Sequence, residues 1–265
     1  MRRAGRIAAA TLANVGAELR PGLATAAIDR LVRGDTSRRG GRPSQLGYKG
    51  FPAAVCTSPN QIVCHGIPSE GVVLADGDIV NVDVTTEVDG FHGDTSRTFL
   101  IGEVDPEARR LVAVAEACRA AGIAVVRPGA RLGDIGAAIE EVAKEAGCSV
   151  VREVGGHGIG RRMHEPPRVP HFGRRGRGLR LRPGMAFTIE PMINLGGPEI
   201  RLLEDGWTIV TADGSLSAQC EHTVLVTRDG AEVLTPFPET PSPSPEPHRV
   251  ADRGPRSVVT DPRDG

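Results

Sequence analysis

Cysteine is sparse and unpatterned in this 265-residue sequence: Cys56, Cys64, Cys118, Cys148 and Cys220 are an odd five with no C-x-x-C pair. That excludes a disulfide framework and a zinc finger, and it fits a reducing compartment. Net charge is also missing. The 32 basic and 33 acidic residues nearly cancel, so no global field argues for a nucleic-acid or membrane partner. No run approaches the length of a transmembrane span. The Ala-rich start after Met1-Arg2-Arg3 is interrupted by Arg6, Asn14 and Glu18, which fits an amphipathic helix better than a targeting peptide. Aromatics make up only 3%, so Tyr48, Phe51, Phe91, Phe172, Phe187 and Trp207 are each worth following.

The 39% hydrophobic content is enough for the core of one large domain or two small ones. Residues 4–19 and 105–126 read as helices, each followed by Arg-Pro-Gly (Arg20-Pro21-Gly22 and Arg127-Pro128-Gly129) and a second helical stretch near Ile28 or Ile135. The unit recurs at an offset of 107 residues. Strand-like sequence follows each helical pair. Two similar α+β halves around a shared site is one reading, and a common helix stop used twice is the other. Ile79 to Val84 alternates apolar and polar residues, and Asp89-Gly90 offers a two-residue hairpin turn before Phe91 to Leu100. Gly184 to Ile193 and Ala218 to Val226 read as further strands, the first bearing Pro191, which places it at an edge or a bulge. From Pro236 the chain turns Pro-Ser-Glu rich, so a folded region over 1–235 and a disordered tail over 236–265 are expected.

If Asp89-Gly90 is the turn, Asp94 falls opposite Thr85, and Asp83 and Asp94 project from one face as diagonal neighbours. Two carboxylates so placed repel unless a cation lies between them or solvent separates them. His157 sits among glycines in Gly155-Gly156-His157-Gly158-Ile159-Gly160, which is neither a Walker loop nor a dinucleotide fingerprint, and His164 follows seven residues on. Glu190 and Glu221 are acids inside otherwise apolar or neutral strand sequence. Singly, each has a bland reading as an edge-strand charge. Together, four carboxylates and one imidazole match the ligand number that two divalent cations require.

These residues stand in a set of motifs that resembles the type I methionine aminopeptidases, which have the pita-bread fold. Phe51-Pro52-Ala53-Ala54-Val55-Cys56, His65-Gly66-Ile67-Pro68, Asp78 to Asp83, His92-Gly93-Asp94-Thr95, Gly156 to Gly160, Thr188-Ile189-Glu190-Pro191 and Gln219 to Thr223 fall in the family's order. The spacings agree as well: 18 from His65 to Asp83, 11 from Asp83 to Asp94 and 31 from Glu190 to Glu221. The likeness covers about residues 1–235.

The resemblance implies an α+β pita-bread fold, two pseudo-symmetric halves around a central antiparallel sheet. It implies that Asp83, Asp94, His157, Glu190 and Glu221 ligate two divalent ions, with Asp94 and Glu221 bridging. It gives His65 the substrate amine or scissile nitrogen, His164 the oxyanion, and Glu190 the proton of the attacking water. Tyr48, Phe51, Cys56 and Trp207 would wall a methionine pocket. The implied substrates are nascent polypeptide N-termini with a small second residue, handled by a cytoplasmic monomer passing near the ribosome, with no membrane and no direct nucleic-acid site. The ligand chemistry accepts Co, Mn, Fe, Ni or Zn alike. A proline dipeptidase would share the metal set, but the His65-Gly66-Ile67-Pro68 segment after Cys56 argues against it. A non-catalytic relative would lose ligands, and none is missing here. Departures from the family pattern are Gln45, Lys49, Val154, Met163 and Cys220, the expected effect being a looser pocket and an altered rim. Gly34 to Gly41 is expected to break a helix.

Overall fold

The computed structural model describes residues 1–237. Helix α1 (Arg2–Glu18) buries Ala4, Ala8, Leu12 and Val15, a helical spacing that lays one stripe on the core. Helix α2 (Thr25–Arg38) follows across Arg20-Pro21-Gly22, where Gly22 takes φ +84° to turn the chain. After short β1 (Arg42–Pro43), β2 (Cys56–Pro59) and β3 (Ile62–Cys64) come the long strands β4 (Ile79–Val88) and β5 (Phe91–Leu100). Helix α3 (Pro106–Ala124) opens the second half, its first turn fixed by the Asp105 carboxylate accepting the Glu107 N–H at 2.7 Å. Helix α4 (Leu132–Glu145) then buries Leu132, Ile135, Ile139 and Ala143. Next in order are β6 (Ser149–Val150), β7 (Gly156–Gly158), β8 (Glu165–Val169), β9 (Ala186–Ile189) and β10 (Met192–Asn194). The last strands are β11 (Ile200–Leu202), β12 (Ile209–Thr211), β13 (Ser217–Gln219), β14 (His222–Val226) and β15 (Ala231–Val233).

The 107-residue repeat is structural. Gly22 N–H donates to Leu74 O at 2.7 Å, and Gly129 N–H, at φ +89°, donates to Leu181 O at 3.0 Å. Ala24 bridges Val73 just as Arg131 bridges Arg180. Both members of each pair stand 107 residues apart. Each half has its own core: α1 and α2 over β4, with Leu12, Ile28, Val80 and Val82, and α3 and α4 over β9 and β14, with Leu111, Ile135, Phe187 and Val224. The helix-to-sheet approach in the first half is unusually close, because a Cβ on Gly93 of β5 would lie 2.4 Å from the Gly5 nitrogen of α1.

The hairpin has the expected register, with Val88 opposite Phe91 and Thr85 opposite Asp94 around Asp89 and Gly90, both at positive φ. The other edge of β4 pairs with β2 from Val80 to Asp83 and with β1 at Thr86 and Glu87. In the second half, β9 pairs with β14, β10 with β13, and β7 joins β9 to β8.

Two expectations change. The continuous strands over 184–193 and 218–226 are each broken in two, at Glu190-Pro191 and at Cys220-Glu221, since Pro191 has no N–H for the ladder. Register is the same on both sides of the break, so Glu190 falls opposite Glu221. Helix α2 runs through Gly34 and stops only at Arg39 and Gly40, the latter at φ +78°. Of the expected tail, Phe237 packs on His222 with ring centroids 4.6 Å apart, and 238–265 lies outside the described residues. Among the described residues no helix is long and apolar enough to cross a membrane.

Candidate metal centre

Five elements deliver the candidate ligands to one place. Asp83 and Asp94 come from β4 and β5, and the Thr85 hydroxyl, opposite Asp94 in the ladder, donates to Asp94 Oδ1 at 2.7 Å. His157 comes from β7, where glycines flank it of necessity: a Cβ on Gly156 would lie 2.3 Å from Thr188 O, and one on Gly158 2.3 Å from Pro166 O. Glu190 and Glu221 stand at the two strand breaks. Their backbone amides, freed from the ladder, go elsewhere: Glu190 N–H donates to His171 Nε2 at 3.1 Å and Glu221 N–H to Ser96 O at 3.0 Å. The second bond reaches from the second half of the chain to the first. Thr95 Oγ1 donating to Glu221 O and Thr223 Oγ1 donating to Asp94 O reinforce it, at 2.9 and 2.8 Å.

Donor atoms of Asp94, His157 and Glu221 all lie within 4.8 Å of one another. His157 Nε2 is also 3.6 Å from Glu190 Oε1. Asp83 Oδ1 and Glu221 Oε1 are buried without a hydrogen-bond partner among the described residues. Burial first, then the neighbouring carboxylates Asp94 and Glu190, raises the pKa of both Asp83 and Glu221 well above the carboxylate range. Burial raises Glu190 too, against the opposing pull of His157 and the Thr188 and Gln219 hydrogen bonds. Orphaned oxygen atoms in a converging set of oxygen and imidazole donors are what a divalent cation satisfies, so the residues present fit a metal.

All eleven residues singled out in the sequence line one cavity of about 250 Å³. Phe51 and Trp207 meet edge to face at 5.1 Å, and Cys56 closes the wall with a thiol that burial keeps protonated. His65 stands 6.4 Å from Trp207 with its backbone at φ +58°, a left-handed conformation costly for a non-glycine residue. His164 stacks on Tyr48 at 5.1 Å and lies 4.0 Å from the His157 ring. His164 is exposed on the cavity rim, yet partial burial, followed by His157 and His65, lowers its pKa to about 3. Of the departures, Gln45, Lys49 and Met163 line this cavity. Val154 does not: it packs beside Val63, Cys64 and Met192 and opens on an adjoining cleft.

Sequence reasoning missed the residues behind the ligands. Thr85, Thr188, Gln219 and His171 each hold a candidate ligand by a hydrogen bond. The one signal for them was proximity to the motifs, since threonine in a strand is ordinary.

The sequence matches the pattern of metallopeptidase family M24 over residues 1–228. The chain belongs to metallopeptidase family M24. This M24 chain is an enzyme of a class that works with divalent metal, and its fold is the pita-bread fold expected from the sequence. It is 53% identical to methionine aminopeptidase A of Synechocystis sp. over 89% of this chain and 93% of that protein. It is 48% identical to the methionine aminopeptidase of Escherichia coli over 89% of each. The crystal structure of methionine aminopeptidase from Rickettsia prowazekii superposes with a TM-score of 0.87 at 48% identity, covering 89% of this chain and 95% of that one.

Proposed function

We propose that this M24 chain removes the N-terminal methionine from polypeptides whose second residue is small. The observation that carries the reading is a single cavity whose apolar wall of Phe51, Cys56 and Trp207 ends on the carboxylate and imidazole cluster. At about 250 Å³ it is smaller than the roughly 300–1,000 Å³ of most ligand clefts, which suits one unbranched side chain and excludes a bulky residue beside it. A polarizable methionine sulfur against Trp207 and Phe51 gains about 0.3–1.5 kcal/mol. Relatives at 53% and 48% identity bear the corresponding name.

In this reading Asp83, Asp94, His157, Glu190 and Glu221 would hold two divalent cations; Co, Mn, Fe, Ni and Zn all suit the donor set. Bound there, divalent cations would supply Lewis acidity and lower the pKa of water toward about 7. The chain's own groups do the rest. Glu190, raised in pKa by burial, takes a proton from the attacking water as the carbon–oxygen bond forms. His164 donates an N–H to the oxyanion, and His65 orients the scissile nitrogen. When the carbon–nitrogen bond breaks, Glu190 returns its proton to the departing amine. The cluster's carboxylates favour a free α-amine, which makes the enzyme an exopeptidase. The five cysteines are free and buried, which supports a cytoplasmic location, with nascent chains as substrates for a monomer near the ribosome.

The test is methionine release from Met-Ala-Ser, beside a peptide with proline second, using metal-stripped protein with Co²⁺, Mn²⁺ or Fe²⁺ added back. Release should depend on metal and fall by about 10²–10⁴ in Glu190→Ala. A folded, metal-binding protein that releases no methionine with any of the three ions would overturn the reading.

A further inference from the structure

We propose that Gln45 is a positioning residue for the metal centre: its side-chain amide replaces a missing stretch of backbone on β4 and holds the strand beneath Asp83 and Asp94. The inference rests on the metal-centre reading above. Along one edge, β4 changes partner, from β2 up to Asp83 to β1 from Thr86 onward. Ser44 N–H reaches Thr85 O at 2.9 Å, and the main chain then turns away through Gly47 at φ +78°. Asp83 is the last residue of β4 opposite β2, across from Cys56, and beyond it the Thr85 N–H is left facing no strand. Gln45 supplies what the backbone does not. Its Oε1 accepts Thr85 N–H at 3.2 Å and its Nε2 donates to Asp83 O at 2.9 Å, the two bonds a peptide group would make.

The gap matters because of which residues border it. Asp83 bears a candidate ligand, and Thr85 fixes a second one through its 2.7 Å bond to Asp94 Oδ1. One amide therefore sets the backbone under two carboxylates. Gln45 is itself buried, 6% exposed, and its remaining donor reaches only the Cys56 sulfur, at 3.8 Å. Deleting the amide leaves the N–H of the buried Thr85 without its partner. Partners behind metal ligands typically change metal affinity by about 10–100-fold when removed.

Gln45→Met keeps the volume and an apolar pocket while removing both bonds; Gln45→Ala removes them with no possibility of overpacking. Metal-stripped full-length protein is titrated with Co²⁺ by calorimetry, and hydrogen exchange is followed at the Thr85 amide. In both variants the Co²⁺ dissociation constant should rise about 10–100-fold and the Thr85 amide should exchange faster. A purely structural glutamine would lower the melting temperature and leave the Co²⁺ constant and Thr85 exchange of the folded protein unchanged, and that result overturns the proposal. A wild-type protein that takes up no Co²⁺ would instead remove the metal-centre reading, and this inference with it.

Discussion

Thr188 serves two candidate ligands with one hydroxyl. Its Oγ1 accepts the His157 N–H at 3.0 Å and donates to Glu190 Oε1 at 2.6 Å, which a hydroxyl's single hydrogen and two lone pairs allow. Thr188→Val preserves the branched shape in a fully buried strand position and removes both bonds. Co²⁺ affinity should fall by about 10–100-fold with the protein folded; calorimetric titration showing wild-type affinity would mean that backbone pairing alone aims Glu190. The contrast between Thr188 and Glu190 shows what was legible at this scale. A glutamate inside apolar strand sequence is costly unless partnered, so Glu190 and Glu221 stood out by anomaly, and Asp83 and Asp94 by falling diagonally across the expected hairpin. Thr85, Thr188 and Gln45 are ordinary strand or loop residues, and their importance comes from contacts made across β4, β5 and β9 that no local pattern carries.

At the scale of elements, signals that act over a few residues carried through and those set by distant pairing did not. The β4–β5 hairpin was readable to the exact register because Asp89-Gly90 specifies both turn type and pairing. The breaks at Glu190 and Glu221 were not, because each strand half pairs in a different sheet. Gly34 likewise misled, since a glycine costs a helix only about 1 kcal/mol relative to alanine and packing outweighs it. The last turn of α2 adds its own fixing. Asp35, 5% exposed, accepts from Arg39 Nε at 2.5 Å and Arg38 Nη2 at 3.1 Å. Burial raises its pKa, but the Arg39, Thr11 and Arg38 contacts outweigh burial and hold it below the ordinary value. A depressed carboxylate contributes stability that is complete above the unfolded pKa, about 3.9, and is lost as pH falls through the lower folded value. Asp35→Asn should therefore cost about 1–3 kcal/mol near neutral pH, and its urea-unfolding stability should decline less than the wild type's on acidification below about pH 4. Parallel declines in the two proteins would show that Asp35 contributes nothing to the acid limb.

The whole molecule is two copies of one plan meeting at the candidate site. The first half contributes Asp83 and Asp94, and the second contributes His157, Glu190 and Glu221. Asp83 and Glu190 are themselves 107 residues apart, equivalent positions of the repeat. Without a cation the two halves bring buried, unpartnered carboxyl groups against each other at short range, held by bonds such as Glu221 N–H to Ser96 O. A cation held between them would therefore be a cross-link as well as a cofactor, and it should appear in global stability. A ligand that binds only the folded state at about 100 times its dissociation constant stabilises by about 2.7 kcal/mol, which for a chain of this size is a rise in Tm of roughly 5–10 °C. Co²⁺ added to the metal-stripped protein should produce that rise in calorimetry. Metal has to displace protons from the raised carboxyl groups Asp83 and Glu221, so the rise at one fixed Co²⁺ concentration should be larger at about pH 8 than at about pH 6. Glu221→Gln keeps the shape and withdraws one candidate anionic ligand, and the rise should shrink with it. An equal rise in wild type and Glu221→Gln would place the stabilising ion away from the junction of the two halves.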